Sequence, residues 1–196
     1  MVTPVGILLA AGRGRRFDPG GAHNKLLVRL GDDAVVAASA RALLSSLSHV
    51  VAVVPPDDVG VGDTLRALGC DVTVCASADS GMAASLMHGL WQVPQADGWI
   101  VALGDMPHVQ PSTVAALARA LEQGADIAVP VHAGRRGNPV AFSRLHLPAL
   151  LALEGDQGAR AIVRGNPVHE VPVDDPGIHL DIDTLSDLLK NGTLRT

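Results

Sequence analysis

Val5-Gly-Ile-Leu-Leu-Ala-Ala-Gly-Arg-Gly-Arg-Arg-Phe17, with Asn24-Lys25-Leu26-Leu27 close behind, joins a short apolar run to a cationic glycine loop. Residues 5–9 form a continuous apolar segment of the kind that fills the centre of a parallel sheet. The loop after them cannot be core. Gly12 and Gly14 permit backbone angles closed to other residues and leave amide N–H groups unshielded, while Arg13, Arg15, Arg16 and Lys25 place four cations within a short span. An anion is the natural occupant, and a basic surface turn is the plain alternative.

Two familiar phosphate loops fit this stretch poorly. Gly12-x-Gly14-x-x-Phe17 is two thirds of a dinucleotide fingerprint, but bulky Phe17 stands where the third glycine lets helix and strand pack closely, and Pro19-Gly20-Gly21 stops a helix there. A Walker loop ends in Gly-Lys-Ser/Thr, whereas Lys25 is followed by Leu26, which offers no hydroxyl to a metal. The pattern Leu-Ala-Ala-Gly-x-Gly-x-Arg with a downstream lysine instead resembles the signature loop of nucleotidyltransferases, specifically the molybdenum cofactor cytidylyltransferase and guanylyltransferase group.

The 196 residues suit one domain, 1–196, and 47% hydrophobic residues supply its core, although only 2% of residues are aromatic, so aliphatic side chains must do the packing. A formal net charge of −5 argues against a general nucleic-acid binder and makes the arginine cluster a local positive spot suited to a small anionic ligand. The N-terminus has no cationic lead-in and its apolar run is short, so neither secretion nor membrane insertion is expected, and a cytoplasmic location is. Cys70 and Cys75 flank Asp-Val-Thr-Val, which in a strand sends them to opposite faces; buried thiols are expected rather than a disulfide or a metal clip.

Strand-like runs recur at 5–9, 49–54, 72–75, 99–103, 127–129, 140–142 and 168–173, with helical spacing at 34–47, 63–68, 82–91, 112–123 and 184–191. The alternation predicts an α/β fold, a Rossmann-like three-layer sandwich with a mostly parallel central sheet. After residue 130, Gly134-Arg-Arg-Gly137 separates two apolar runs like a hairpin loop and predicts a small antiparallel excursion.

In such a sheet ligands collect beyond the carboxyl ends of the strands. Leu103-Gly-Asp105-Met-Pro107 puts a carboxylate there, read as a magnesium ligand against the alternative of a turn or cap aspartate. In Leu180-Asp-Ile-Asp-Thr-Leu-Ser-Asp-Leu188, Asp181 and Asp183 share a face if the piece is extended, and one of them can complete a metal site; Asp183 or Thr184 serves equally as a helix N-cap. Ala78-Asp-Ser-Gly81-Met82-Ala-Ala-Ser85-Leu86 leads into a helix whose amides and Ser85 hydroxyl can meet a base or ribose; Met82 and Leu86 by themselves read as core. The histidines fall in no metal-ligand spacing, and surface or capping roles are expected for them.

Taken in order, these segments resemble the molybdenum cofactor cytidylyltransferase family over most of the chain. The resemblance implies a nucleotide site of Leu9, Ala10, Ala11, Gly12, Gly14, Arg16, Lys25, Gly81, Met82 and Ser85, with alanine in Leu9-Ala-Ala-Gly12 where guanylyltransferases tend to have glycine. It implies a Mg2+ held by Asp105 and Asp183, catalytic roles for Arg16, Lys25 and Asp105, and an acceptor side of Asn138, Pro139, Asp156 and Arg160. Gly14 stands where relatives have serine, the insert 18–24 is longer than usual, and Asn138 replaces a typical histidine.

The chemistry so implied is transfer of CMP, or GMP, from an NTP, with CTP favoured, to a phosphorylated small molecule of the molybdopterin type, with release of pyrophosphate. No nucleic acid or membrane is involved, and a molybdoenzyme or maturation factor is the implied protein partner. Two rivals differ in class. A non-catalytic nucleotide-binding regulatory or chaperone module would bind without releasing pyrophosphate. An NAD- or FAD-dependent oxidoreductase would need an acidic ribose ligand after the second strand, where Asp57 and Asp58 stand.

Overall fold

The computed structural model describes residues 3–14, 17, 18, 20, 23–156 and 158–191. The first half of the chain runs β1 (Val5–Leu9), β2 (Arg29–Leu30), β3 (Asp33–Ala34), α1 (Val35–Leu44), β4 (Val50–Val54), α2 (Val61–Ala67), β5 (Asp71–Val74), α3 (Met82–Gln92) and β6 (Gly98–Leu103). The second half runs α4 (Pro111–Glu122), β7 (Ile127–His132), β8 (Arg135–Arg136), β9 (Val140–Ser143), α5 (Leu147–Leu151), α6 (Arg160–Gly165), β10 (His169–Pro172) and α7 (Leu185–Asn191).

The central sheet has the order β10-β7-β9-β6-β1-β4-β5, with β8 pairing on β7. β1 is parallel to β4 and β6, β4 to β5, and β10 to β7, while β9 runs antiparallel between β6 and β7. Period-two alternation divides each buried strand between two cores. Leu8, Ile100, Ala102, Ala128 and Ala141 pack with Val36 and Leu43 of α1, Leu65 of α2 and Leu117 of α4. Ile7, Trp99, Val101, Ile127 and Phe142 face Leu86 and Leu90 of α3, Leu150 of α5 and Ile162 of α6. With a helical layer on each face, a strand such as Val50-Val-Ala-Val-Val54 can be apolar throughout.

The chain builds β1, β4 and β5 outward on one side and then returns to β6 on the other side of β1. The reversal between β1 and β6 is the topological switch point, and the loops leaving those two strands carry the glycine segment and Asp105. Phe17, in place of the third fingerprint glycine, is buried in the core and fixes the far side of the loop, its N–H donating to the Gly14 carbonyl at 2.9 Å.

The antiparallel excursion differs in detail from its sequence reading. The reversal is the turn at Ala133 and Gly134, both at positive φ, so Arg135 and Arg136 are the return strand β8 and not the loop. Gly137, Asn138 and the cis-bonded Pro139 then separate β8 from β9, with the Asn138 N–H donating to the Ile178 carbonyl. Cys70 and Cys75 are buried free thiols on either side of β5. No helix among the described residues is long and apolar enough to cross a membrane.

Candidate functional site

At the carboxyl ends of β1 and β6 opens a cavity of about 410 Å³, lined by the glycine loop with Lys25, by the start of α3 at Gly81, Met82 and Ser85, and by Asp105, Asp156 and Asp183. Each wall segment is placed by a local cause. The Asn24 side chain accepts from the Leu26 N–H at 3.0 Å and caps the 3-10 turn Lys25–Leu27, which fixes the base of the lysine. Gly14 takes φ +60, and a Cβ there would stand 3.3 Å from Lys25 Cγ, so the lysine stem threads beneath the glycine loop. Gly14, not Gly12, is the residue of the pair that adopts the left-handed backbone. Gly12 contributes differently, since a Cβ there would meet nothing within 4 Å.

Lys25 ends between two carboxylates. Its Nζ donates to Asp105 Oδ2 at 2.7 Å and to Asp183 Oδ1 at 3.0 Å, and the residue is only 7% exposed. Burial alone would lower the pKa of this ammonium, but the Asp105 carboxylate, and Asp183 after it, outweigh that effect and leave it above the ordinary lysine value. Asp105 Oδ1 is buried and has no hydrogen-bond partner among the described residues. A buried carboxylate oxygen without a donor, beside a second carboxylate, is a fit for a divalent cation.

The two aspartates come from distant parts of the chain and are joined through backbone. The Ile182 N–H donates to the Asp105 carbonyl at 2.8 Å, and Ile182 is fully buried. On the other side of the turn, Ser39 Oγ of α1 donates to the Gly104 carbonyl at 3.0 Å. Residues 181–183 form no strand, but Asp181 and Asp183 still flank the buried Ile182 and their carboxyls interact with each other. Asp183 reaches the cavity; Asp181 is an exposed residue outside its wall, its carboxyl raised by partial desolvation and by the nearby charges of Asp183 and Asp105.

The choice between capping and site duty at Asp183 is resolved by Thr184 and Asp187. Thr184 Oγ1 accepts from the Asp187 N–H at 3.2 Å, while Asp187 Oδ2 accepts from the Thr184 N–H at 2.7 Å and the Asp183 N–H at 3.2 Å. This capping box starts α7 and leaves the Asp183 carboxylate to Lys25 and the cavity. Its Thr-x-x-Asp spacing was available in the sequence.

Gly81 shapes the wall at the start of α3. It takes φ +118, and a Cβ there would approach the Gly155 carbonyl to 2.6 Å and Asp156 Oδ1 to 2.7 Å. Its bare backbone lets segment 155–156 lie across the start of α3, where the Gly155 carbonyl accepts from the Ala83 N–H at 3.0 Å, and so brings Asp156 to the cavity. Met82 is 41% exposed and lines the cavity, contrary to its reading as core from spacing alone; Leu86, one turn on, is buried.

Other expected residues fall elsewhere. The Ala10 side chain packs into the core. Arg16 lies outside the described residues. Asn138 and Pro139 border a separate small cavity with Met106 and Val109, and Arg160 is an exposed residue at the start of α6, outside the main cavity wall. Within the insert 18–24, Asp18 turns the backbone by accepting from the Gly20 N–H at 2.9 Å and the His23 N–H at 2.8 Å, while residues 19, 21 and 22 lie outside the described set. His108 is half-buried and not a surface residue; burial holds its pKa below the ordinary histidine value, against a weaker pull from Asp175.

Sequence reasoning missed the role of Arg13. Instead of pointing to an anion, Arg13 grips Asp79 through Nε and Nη2, each at 2.6 Å, and also pairs with Asp57. These partners, 66 and 44 residues away, tie the glycine loop to the turns after β5 and β4. Asp58 caps α2, accepting from the Val61 N–H at 2.8 Å and the Gly62 N–H at 2.7 Å. Both acidic residues that a dinucleotide ribose would call on thus have structural duties.

A family model described as MobA-like NTP transferase domain matches residues 6–172. The chain is 28% identical over 193 residues to the purine catabolism protein PucB of Bacillus subtilis, covering 92% of this chain and 91% of that protein. Its fold is similar to that of Rv0371c from Mycobacterium tuberculosis, with a TM-score of 0.81 and 30% identity over 96% of this chain and 97% of the other. The same mycobacterial protein in complex with manganese gives a TM-score of 0.75 at 30% identity, over 97% and 98% of the two chains.

Proposed function

The chain belongs to the MobA-like NTP transferase family, and from that premise we propose that it moves a nucleotidyl unit, CMP in preference to GMP, from an NTP to the phosphate of a small-molecule acceptor of the molybdopterin class, with release of pyrophosphate. The observation that carries this reading is the convergence of Lys25, Asp105 and Asp183 beneath the Gly12–Gly14 loop, at the mouth of a cavity about 410 Å³ in volume.

Each wall has a task in this reaction. The amides of the glycine loop receive the β- and γ-phosphates, assisted by Arg16, and Lys25 receives the α-phosphate. Gly81, Met82 and Ser85 face the nucleoside, with Ala11 also in the cavity wall. An oxygen of the acceptor phosphate, already ionised at neutral pH, attacks the α-phosphorus as the bond to the β-phosphate oxygen breaks. No side chain needs to become covalently bound; alignment and charge screening suffice.

Asp105 and Asp183 would hold a divalent ion, magnesium in this proposal, that screens repulsion between the phosphates and stabilises the charge on the transferring group. The unpartnered Asp105 Oδ1 and the manganese complex of Rv0371c support that assignment. The acceptor is assigned to Asp156 in the cavity wall, to Asn138 and Pro139 beside Met106 at the smaller cavity, and to Arg160 outside both walls. A molybdoenzyme or maturation factor would receive the product.

The test is to incubate the protein with each NTP, Mg2+ and a panel of phosphomonoesters that includes molybdopterin, and to measure pyrophosphate. Acceptor-dependent release, fastest with CTP, is expected. Nucleotide binding without release for every pair would contradict transfer and favour a non-catalytic binding module.

A further inference from the structure

We infer that Lys25 stands in for the divalent ion between Asp105 and Asp183 until nucleotide arrives, so that metal and nucleotide bind as a coupled pair. The inference rests on the nucleotidyl-transfer reading above and adds an order to it: Lys25 leaves the carboxylates for the incoming phosphates as the metal takes its place.

Three observations support it. The first is position. Lys25 Nζ lies 2.7 Å from one Asp105 oxygen and 3.0 Å from one Asp183 oxygen, in the space that an ion bridging the two would need. Two partly buried carboxylates brought together by the Ile182 to Asp105 backbone bond repel each other unless a cation lies between them. The ammonium is that cation.

The second is the path of the side chain. Lys25 is anchored below the glycine loop, with its stem 3.3 Å from where a Gly14 Cβ would be, and its tip at the carboxylates. It therefore spans the boundary between the phosphate loop and the acidic pair. A lysine stem has enough rotatable bonds for its ammonium to change partners while the backbone stays fixed.

The third is charge. Among the described residues that line the cavity, the cations are Arg13 and Lys25, against the four carboxylates Asp79, Asp105, Asp156 and Asp183. Arg13 is already paired with Asp79 and with Asp57. A triphosphate arriving without metal meets an acidic wall, and a metal arriving without nucleotide must expel a seated ammonium. Arriving together, the metal neutralises the carboxylates and the phosphates neutralise Lys25. Each ligand thus removes the obstacle to the other, which is positive and reciprocal coupling.

The experiment is a titration of Mn2+ followed by the paramagnetic resonance of the free ion, with wild-type protein and Lys25→Met, each with and without CTP and in the absence of acceptor. Methionine keeps an unbranched stem under Gly14 and removes the charge. The wild type is expected to bind Mn2+ at least tenfold more tightly with CTP, beyond the chelation that CTP alone provides. Without CTP, Lys25→Met is expected to bind Mn2+ at least tenfold more tightly than the wild type, and to show correspondingly weaker coupling. A variant that binds Mn2+ no more tightly than the wild type in the absence of CTP would overturn the inference. Should the variant fail to fold, the wild type decides: equal Mn2+ affinity with and without CTP, after correction for chelation, overturns it equally. Loss of the transfer reading is seen separately, as absence of pyrophosphate release with every NTP, and does not depend on the Mn2+ titration.

Discussion

Asp105→Asn separates the chemistry of this site from its stability. The asparagine keeps the shape and leaves an acceptor for Lys25, but removes one of two charges and the buried oxygen that lacks a hydrogen-bond partner among the described residues. Lys25 retains Asp183 at 3.0 Å, and the Asp105 side chain is 20% exposed, so the structural loss is a weakened charge-assisted hydrogen bond and not an orphaned buried ion. That sets the cost at about 1 kcal/mol, below the range of roughly 3–5 kcal/mol for breaking a fully buried pair. For a chain of this length it corresponds to a fall in Tm of about 2–4 °C. Turnover should suffer far more. Losing one preorganised electrostatic element of a transfer site costs about 100-fold or more in kcat, or about 2.7 kcal/mol of transition-state stabilisation. The assay pairs thermal unfolding with pyrophosphate release at saturating CTP and acceptor. A kcat close to wild type would refute the assignment of Asp105 to the reacting phosphates, and a loss of activity that merely followed a collapse in Tm would refute the separation argued here.

Three further outcomes follow from individual contacts. Asp79→Asn leaves Arg13 with Asp57 and loosens the tie between the glycine loop and the start of α3, so the KM for CTP should rise several-fold with inhibition by pyrophosphate unchanged; if Arg13 were instead a phosphate ligand held back by Asp79, the same substitution would lower KM and strengthen pyrophosphate inhibition. Ala11→Gly removes a methyl from the cavity wall and should shift the ratio of kcat/KM for CTP over GTP toward GTP by about tenfold or more, the worth of one such group in a shaped pocket; an unchanged ratio would remove Ala11 from base selection. Burial keeps the folded-state pKa of His108 below the unfolded value of 6.5, so its stabilising contribution is complete above that pH and is lost as pH falls. His108→Gln should therefore show a smaller drop in Tm between pH 7.5 and pH 5.5 than the wild type, and an identical drop would contradict the burial argument.

The parallel part of the fold was legible because its signals are local. Runs such as Val50-Val-Ala-Val-Val54, short and β-branched, read as strands covered on both faces, and the helix of 112–123 carries its own start in Pro111. What escaped notice was short or distant. The two-residue strands β2 and β3 have no periodicity to read, and α5 begins Leu147-Pro148 and spans barely more than one turn. The loop 134–137 was misplaced because two glycines bracket the arginines, and only the backbone reveals that the turn uses Ala133 and Gly134.

The site divides in the same way. Lys25 and Asp105 stand out by motif and strand position and Asp183 by the family resemblance, and the fold brings all three side chains together. The double attachment of Arg13 to Asp57 and Asp79 could not be read, since nothing near residue 13 hints at partners 44 and 66 positions away. Helical spacing alone reads Met82 as core, whereas the resemblance puts it in the nucleotide site, and it lines the cavity. By contrast, the Thr184-Leu-Ser-Asp187 capping box lay in plain view and would have assigned the cap to Thr184, leaving Asp183 to the site.

The central claim is transfer of an intact nucleotidyl unit onto a phosphate, and phosphorus NMR of the reaction follows it directly. With CTP, Mg2+ and molybdopterin, the account expects the monoester resonance of the acceptor to be replaced by the two coupled resonances of a new pyrophosphate diester, with one equivalent of inorganic pyrophosphate and an absolute need for acceptor. Spectra in which CTP and the acceptor persist unchanged beside active-concentration protein, or in which CTP is cleaved without any new diester, would contradict it.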